Sequence, residues 1–550
     1  MSFEENYDYI VVGGGSSGCV VAARLAQAKA GRVLIIEAGD LAENNPDTLS
    51  ADGFIHAFAN DNVMWDRLST KQACCDGRAL YMGSGTGMGG SGSVNGMVYT
   101  RGDKKDFAQW PKGWQWHDVE PYFSQVEDVL KVKPRTPTVY NDTCIAAAKL
   151  AGFEHKDKLI DGDLCGYLGY QTMNYDGPNR RSSYVSFIKD QELPNLTIKT
   201  KTKVRQLIFN ADKRVTGVIF REHGKDRLAT VNNEVIMCSG ALETPKLLMV
   251  SGVGPKEELQ RHGIDVVADI PQIGGNLHDH PNVCIFYKSR QSPDSRYPQL
   301  YGFNRANEDT GLPQGQADTC YVFYSAPASL KQSMKRMMPA VALPPGLFYN
   351  KWLRKILRGF VDIAYHLPIL NKFLSQIYGI VVILGKPESR GRLTLNSADP
   401  EDQACLSPNY YQSENDLKTM VKGVKLAQKI AAQQPLQNYG NKPLVAAAKT
   451  SDDRKIAKWI KGATMTTFHY CGTCKMGESD TDPVDLQLRL RGVKGIRVAD
   501  ASIIPETPVS ALNAPSMMIG FRASEFILNV TKTNPSVVSP KKQATAEAVE

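Results

Sequence analysis

Residues 8–37 read DYIVVGGGSSGCVVAARLAQAKAGRVLIIE. An apolar run (9–12) enters Gly13-x-Gly15-x-x-Gly18. A helical pattern follows, and a second apolar run (33–36) ends on Glu37. The order is strand, tight turn, helix, strand, with an acidic residue 19 positions after the last glycine. Gly13 permits the turn, Gly15 lets a pyrophosphate approach the backbone, and Gly18 lets the helix lie close on the strand. Amides at the helix start face the phosphates, whose charge the helix dipole favours. Glu37 is expected to accept hydrogen bonds from a ribose hydroxyl. A glycine-rich structural turn is the competing reading, and the motif alone does not separate FAD from NAD.

The 550-residue chain is too long for one ordinary core, so two or three domains are expected. With 42% apolar and 22% charged residues, its composition is that of a soluble globular protein. The opening MSFEENYDYI has neither the basic nor the apolar region of a secretory signal. No stretch approaches the ~20 apolar residues of a membrane span; residues 380–384 read as a buried strand. The final Ala-Val-Glu is not a peroxisomal address. Eleven irregularly spaced cysteines make no disulfide framework, and a reducing, cytoplasmic setting is expected. Cys471-x-x-Cys474 lacks the context of a redox pair. The net charge of +8 is concentrated in residues 329–372, where eight cations face Asp362 alone, an excess of +7. A general surface for nucleic acid is therefore not expected.

Residues 83–102, GSGTGMGGSGSVNGMVYTRG, suggest backbone wrapped around a ligand, because Val94, Met97, Val98 and Tyr99 interrupt the glycines. Residues 196–222 alternate like a β-meander. Residues 234–240 read as a buried strand entering a helix over 241–250. Late in the chain, 496–498 give another strand, followed by a helix rich in Met and Phe. This return of the strand–helix pattern implies a discontinuous nucleotide domain of residues 1–115, 196–282 and 464–530. A second domain comprises 116–195 and 283–463, and 531–550 form a polar, flexible tail.

Several segments in order resemble the glucose–methanol–choline oxidoreductases. They are the first glycine motif with Glu37-Ala38-Gly39, GMGGSGSVNGMVYTRG (87–102), GALETPKLLMVSGVGP (240–255), NLHDHP (276–281), HYCGTCKMG (469–477), VADASIIP (498–505) and NAPSMMIG (513–520). The resemblance implies an α/β, Rossmann-like FAD domain with an α+β substrate domain, in which a six-stranded antiparallel sheet roofs the flavin. It also implies FAD rather than NAD. It places cofactor contacts on Gly13, Gly15, Ser16, Ser17, Gly18, Glu37, Ala38, Gly89, Gly90, Asn95, Gly96, Met97, Val98, Val204, Asp500, Ala501, Asn513 and Pro515. Asp500 has a second reading, as the helix cap for Ser502 onward. Where relatives commonly read L-G-G-S-S-x-x-N, this chain has Met88-Gly89-Gly90-Ser91-Gly92-Ser93-Val94-Asn95. Some relatives tether the flavin through a histidine at the position of Val94, which has no nucleophile, so non-covalent FAD is expected.

Alcohol oxidation by hydride transfer needs a base at the hydroxyl, and imidazole suits the task near neutrality. The resemblance gives that role to His469. It gives Asn513 the role of hydrogen-bonding the substrate oxygen and steadying the developing alkoxide. His278-x-His280 lacks a third ligand in register, so no metal is expected; His280 is read as part of a structural loop beneath the flavin. The expected reaction is oxidation of a primary, apolar alcohol to its aldehyde, with oxygen or a quinone as electron acceptor. Hydroxynitrile lyases and fatty-acid photodecarboxylases share the fold and remain alternatives, as does an inactive flavin-binding protein. The decarboxylases are expected to carry a cysteine before Pro387-Glu388-Ser389-Arg390-Gly391, and residues 380–386 contain none.

In residues 351–364, Trp352, Leu353, Ile356, Leu357, Phe360 and Ile363 share one helical face, with Lys351, Arg354, Lys355 and Arg358 on the others. Two readings follow: a peripheral membrane contact, or a helix packing its apolar face onto the substrate domain.

Overall fold

The computed structural model describes residues 3–533. Its nucleotide layer is built on the first strand, Phe3–Val12. That strand pairs in parallel with Val33–Ile36 (Tyr9 opposite Val33, Val12 opposite Ile36) and, on its other edge, with Lys225–Met237. All four residues of Val33–Ile36 are buried, as expected for a parallel sheet covered on both faces. Ile496–Val498 pairs with Val235 to Met237, so the return of the chain expected from its late strand is present. The 196–222 segment is only partly a meander. Leu196–Lys199 adds in parallel to Val33–Ile36, and the antiparallel run is Lys203–Phe209, Val215–Glu222 and the start of Lys225–Met237. Asn195 O accepts from Val33 N and Lys199 O from Glu37 N, which draws this strand away from its sequence neighbours and into the parallel layer.

The second sheet holds eight strands rather than six. Its centre is antiparallel: Pro281–Lys288, Ile377–Leu384, Thr319–Ser325, Leu300–Asn304 and Tyr167–Tyr170. The extra strands are two-residue edge pieces, one of them, Glu154–His155, parallel to its neighbour. Alternate side chains (Val283, Ile285; Ile380, Val382; Tyr321, Phe323) pack on helices Glu414–Ala431 and Asp453–Ala463. The opposite face contributes Tyr324 to the large cavity described below.

Helix Trp116–Leu130, assigned by sequence to the second domain, packs on the final helix Asn513–Thr533, and its Val119, Phe123 and Val126 join the nucleotide-layer core. That final helix passes the expected start of the tail at 531; residues 534–550 lie outside the described residues. Between strands Thr319–Ser325 and Ile377–Leu384 the chain inserts helices Ala326–Ala342, Pro345–Phe348, Lys351–His366 and Pro368–Ser375. Among the described residues no helix is long and apolar enough to cross a membrane.

Candidate active site

Helix Ser16–Gln27 begins at Gly15 with no side-chain cap, so its first amides are left for a ligand. Close packing sets this turn. A Cβ on Gly18 would stand 2.0 Å from Gly13 O, and one on Gly90 would stand 2.8 Å from Gly15 Cα. The glycine-rich passage therefore lies directly on the nucleotide turn, and Gly89 N donates to Gly14 O at 2.7 Å. Together they border a cavity of about 540 Å³, within the ~300–1,000 Å³ usual for ligand sites.

Most of the expected cofactor residues line it: Gly13, Gly15, Ser16, Ser17, Glu37, Ala38, Gly90, Asn95, Gly96, Val98, Val204, Asp500, Ala501 and Asn513. Gly18, Gly89, Met97 and Pro515 do not; Met97 packs instead with Ala51 and Met173. Glu37 already accepts backbone N–H groups: Gly14 at Oε2 (2.8 Å), and Gly39 and Gly87 at Oε1 (2.8 and 2.9 Å). Oε2 retains capacity for a ribose hydroxyl. For Asp500 the cap is observed. Its carboxylate caps Ser502 N (2.8 Å), anchors Gly240 N and Thr244 Oγ1, and lines the cavity. Open amides at a helix start, a cradle that a Cβ would fill and a carboxylate at the strand end together fit a dinucleotide.

His469 lines the same cavity. Its backbone N–H donates to Asp279 Oδ1 at 2.8 Å. Tyr410 and Thr466 hydroxyls donate to Asp279 Oδ2, and burial raises this carboxyl to about 6. The preceding Phe468 adopts φ 64, a left-handed conformation uncommon for a bulky residue and a mark of local constraint. His469 Nδ1 lies 2.9 Å from His280 Nδ1, and His280 Nε2 lies 3.1 Å from Thr507 Oγ1. One consistent assignment has His469 Nδ1–H donating to His280, His280 Nε2–H to Thr507, and Thr507 Oγ1–H to Pro508 O at 3.4 Å. It leaves His469 Nε2 unprotonated, with no partner among the described residues. Burial lowers the His469 imidazole to about 4 and holds His280 well below its usual range, so both are neutral near pH 7.

His280 was legible as part of H-x-H, but its contact with His469 was not. The Oδ1 of Asn513 accepts from Ser16 Oγ at 2.9 Å. The carboxamide is thus tied to the nucleotide turn, and no direct bond joins it to His469. Both residues line the cavity. Cys471 and Cys474 are buried free thiols, each with its pKa raised by burial.

The cavity's other end, beside helix Phe54–Ala59, is apolar: Phe54, Ile55, Phe58 and Phe468 line it, with the Phe58 and Phe468 rings 5.8 Å apart. Three carboxylates reach the cavity wall. Glu37 and Asp500 are occupied as above, and Glu243 pairs with Arg67 (2.9 Å) and Lys246 (3.3 Å). None is free near His469.

The chain is similar to known proteins over nearly its whole length. The chain is 30% identical to an oxygen-dependent choline dehydrogenase of Chromohalobacter salexigens, over 96% of each chain. It is also 30% identical to an alcohol dehydrogenase [acceptor] of Pseudomonas putida, over 95% of this chain and 96% of the relative. Its fold matches pyridoxine 4-oxidase from Mesorbium loti with TM-score 0.82 and 24% identity, over 95% and 99% of the two chains. A formate oxidase structure matches with TM-score 0.79 and 24% identity, over 98% and 100%. Family models described as GMC oxidoreductase match residues 7–282 and 387–520. The chain therefore belongs to the GMC oxidoreductase family, flavoproteins that use FAD.

Proposed function

We propose that this protein oxidises a primary, apolar alcohol to the aldehyde, with non-covalently held FAD and His469 as the base. The observation that carries the reading is a single cavity that joins the nucleotide turn to the unpartnered Nε2 of a neutral, half-buried imidazole. FAD, when bound, supplies the hydride acceptor. Nε2 of His469 takes the hydroxyl proton, and the resulting imidazolium faces the developing alkoxide. Asp279, through the His469 backbone, and His280, through Nδ1, fix the ring's place and tautomer. Asn513 holds Ser16 at the nucleotide turn through its Oδ1, and its amide N–H groups are the donors it has left for a ligand in the same cavity. Val94 lines the cavity without a nucleophile, which supports non-covalent attachment. Retention of His469 favours redox chemistry over the lyase and decarboxylase alternatives.

Similarity to both a choline and an alcohol dehydrogenase leaves the substrate to the cavity. Its phenylalanine-lined end and the lack of a free carboxylate beside His469 favour an uncharged, apolar alcohol over a quaternary ammonium. A steady-state survey from ethanol to dodecanol, with choline alongside, tests this. We expect kcat/KM to rise with chain length, and choline to be a poor substrate. A marked preference for choline would reject the apolar assignment.

The imidazole also predicts the pH profile. The base form is required, and burial moves its acid limit from the ordinary value of 6.5 to about 4. Flavin reduction is therefore expected to stay level from neutral pH down through pH 6 and to fall only as pH approaches 4. A limb near the ordinary histidine value would show that Nε2 titrates as an exposed group.

A further inference from the structure

The helical insertion at residues 326–376 presents an unusual surface. Fourteen large apolar side chains are exposed among the described residues, and ten of them fall between Val341 and Phe373. On helix Lys351–His366, Trp352, Ile356, Phe360 and Ile363 follow one another at steps of three or four and form its outer face; Trp352 is 68% and Ile363 63% exposed. Ile369, on the next helix, is 89% exposed. Arg354 and Val361 point inward. The apolar stripe therefore faces away from the protein, the reverse of a helix packing its hydrophobic side on the substrate domain.

The charges explain this orientation. Arg336, fully buried, reaches Asp61 and Asp66 at 2.8 Å; Arg354 meets the same two carboxylates, and Arg358 meets Asp61 at 2.6 Å. Lys331 and Lys335 hold Asp362 at 3.0 and 2.8 Å. Five of the eight cations of this segment thus bind it together and to the body. Lys351, Lys355 and Lys372 stay exposed beside the apolar stripe, with no ion-pair partner among the described residues. Asp362, the sole carboxylate of residues 345–375, is already claimed.

We propose that this face docks on an anionic lipid bilayer, with helix Lys351–His366 lying in the headgroup plane. A Trp- and Phe-bearing stripe flanked by lysines is the composition that lies in a membrane interface, and exposed lysines near it are drawn to anionic headgroups. A second copy of this chain fits less well, because a two-fold contact through the same patch would set the unpaired lysines against one another. The face also lies over the cavity. Helix Ala326–Ala342, against which Lys351–His366 packs, contacts Phe54–Ala59 and contributes Ser333 to the cavity wall. An apolar compound dissolved in the bilayer would have a short way to the phenylalanine-lined end.

The test is flotation of the FAD-loaded protein with vesicles of phosphatidylcholine and phosphatidylglycerol at low salt, alongside vesicles of phosphatidylcholine alone. It reads protein position without turnover, so its outcome is independent of the alcohol-oxidation reading. The wild type is expected to float with the anionic vesicles, several-fold less with the neutral ones, and less as salt rises. The double variant Phe360→Glu, Ile363→Glu changes only exposed positions. It is expected to stay in the lower fraction while oxidising a short, water-soluble alcohol as the wild type does. Wild type that fails to float with anionic vesicles overturns the proposal. So does a concentration-dependent dimer abolished by the same double variant in the absence of vesicle binding, which would give the face to a second copy.

Discussion

Flavin reduction by alcohol is expected to slow by ~10²–10⁴-fold in His469→Ala, the usual contribution of a positioned acid–base group, while FAD stays bound. That range corresponds to ~3–5 kcal/mol of barrier. The size follows from the surroundings. In wild type a neutral imidazole is held with Nε2 free; in the variant the hydroxyl proton has no acceptor in a pocket walled by Phe54, Phe58 and Phe468. Stopped-flow absorbance under anaerobic conditions gives the rate, and the retained flavin spectrum shows that the cofactor site is intact. His280→Ala is expected to fall between wild type and His469→Ala, because it removes the Nδ1 partner that fixes the ring but leaves the base itself. An undiminished rate in His469→Ala would assign proton abstraction to another group.

The second large effect is expected at Gly18. A methyl there would meet Gly13 O at 2.0 Å and Cys238 Cβ at 3.1 Å, and Gly13 O is backbone that has no rotamer to give. Forcing atoms into a packed site of this kind costs ~1–3 kcal/mol, and here the strain falls on the turn that carries the open amides. Purified Gly18→Ala should be largely colourless and should melt below wild type in the absence of FAD. Gly15→Ala separates binding from packing. Its Cβ would have Cys238 O at 3.9 Å as its nearest protein neighbour, and its φ of −79 is one that any residue adopts. The apo form should therefore melt like wild type, yet bind FAD more weakly, because the methyl projects from the cavity wall. Equal FAD content in wild type and Gly18→Ala would place the pyrophosphate elsewhere.

The nucleotide layer was legible because its information is local. Residues 8–37 carry strand, turn and helix within one stretch, and burial of all of Val33–Ile36 is already implied by an uninterrupted apolar run. His469 was legible through its motif. Its surroundings were not, since His280 lies 189 positions away and Ser16, the partner of Asn513, 497 positions away. No periodicity connects such pairs. Helix Lys351–His366 shows the same limit from another side. Its spacing tells which residues share a face, but not which face turns inward. That is settled by Asp61 and Asp66, distant carboxylates that draw Arg354 and Arg358 toward the body and leave Trp352 and Phe360 outside. Likewise, Leu196–Lys199 alternates like its neighbours yet joins the parallel layer, because Val33–Ile36 offers it an open edge.

One measurement addresses the central claim most directly: anaerobic titration of the yellow holoprotein with a long-chain primary alcohol, following flavin absorbance and aldehyde together. Bleaching of the flavin with one aldehyde formed per FAD reduced is the predicted result. Flavin that stays bound and oxidised through every alcohol offered, with no aldehyde, would contradict it.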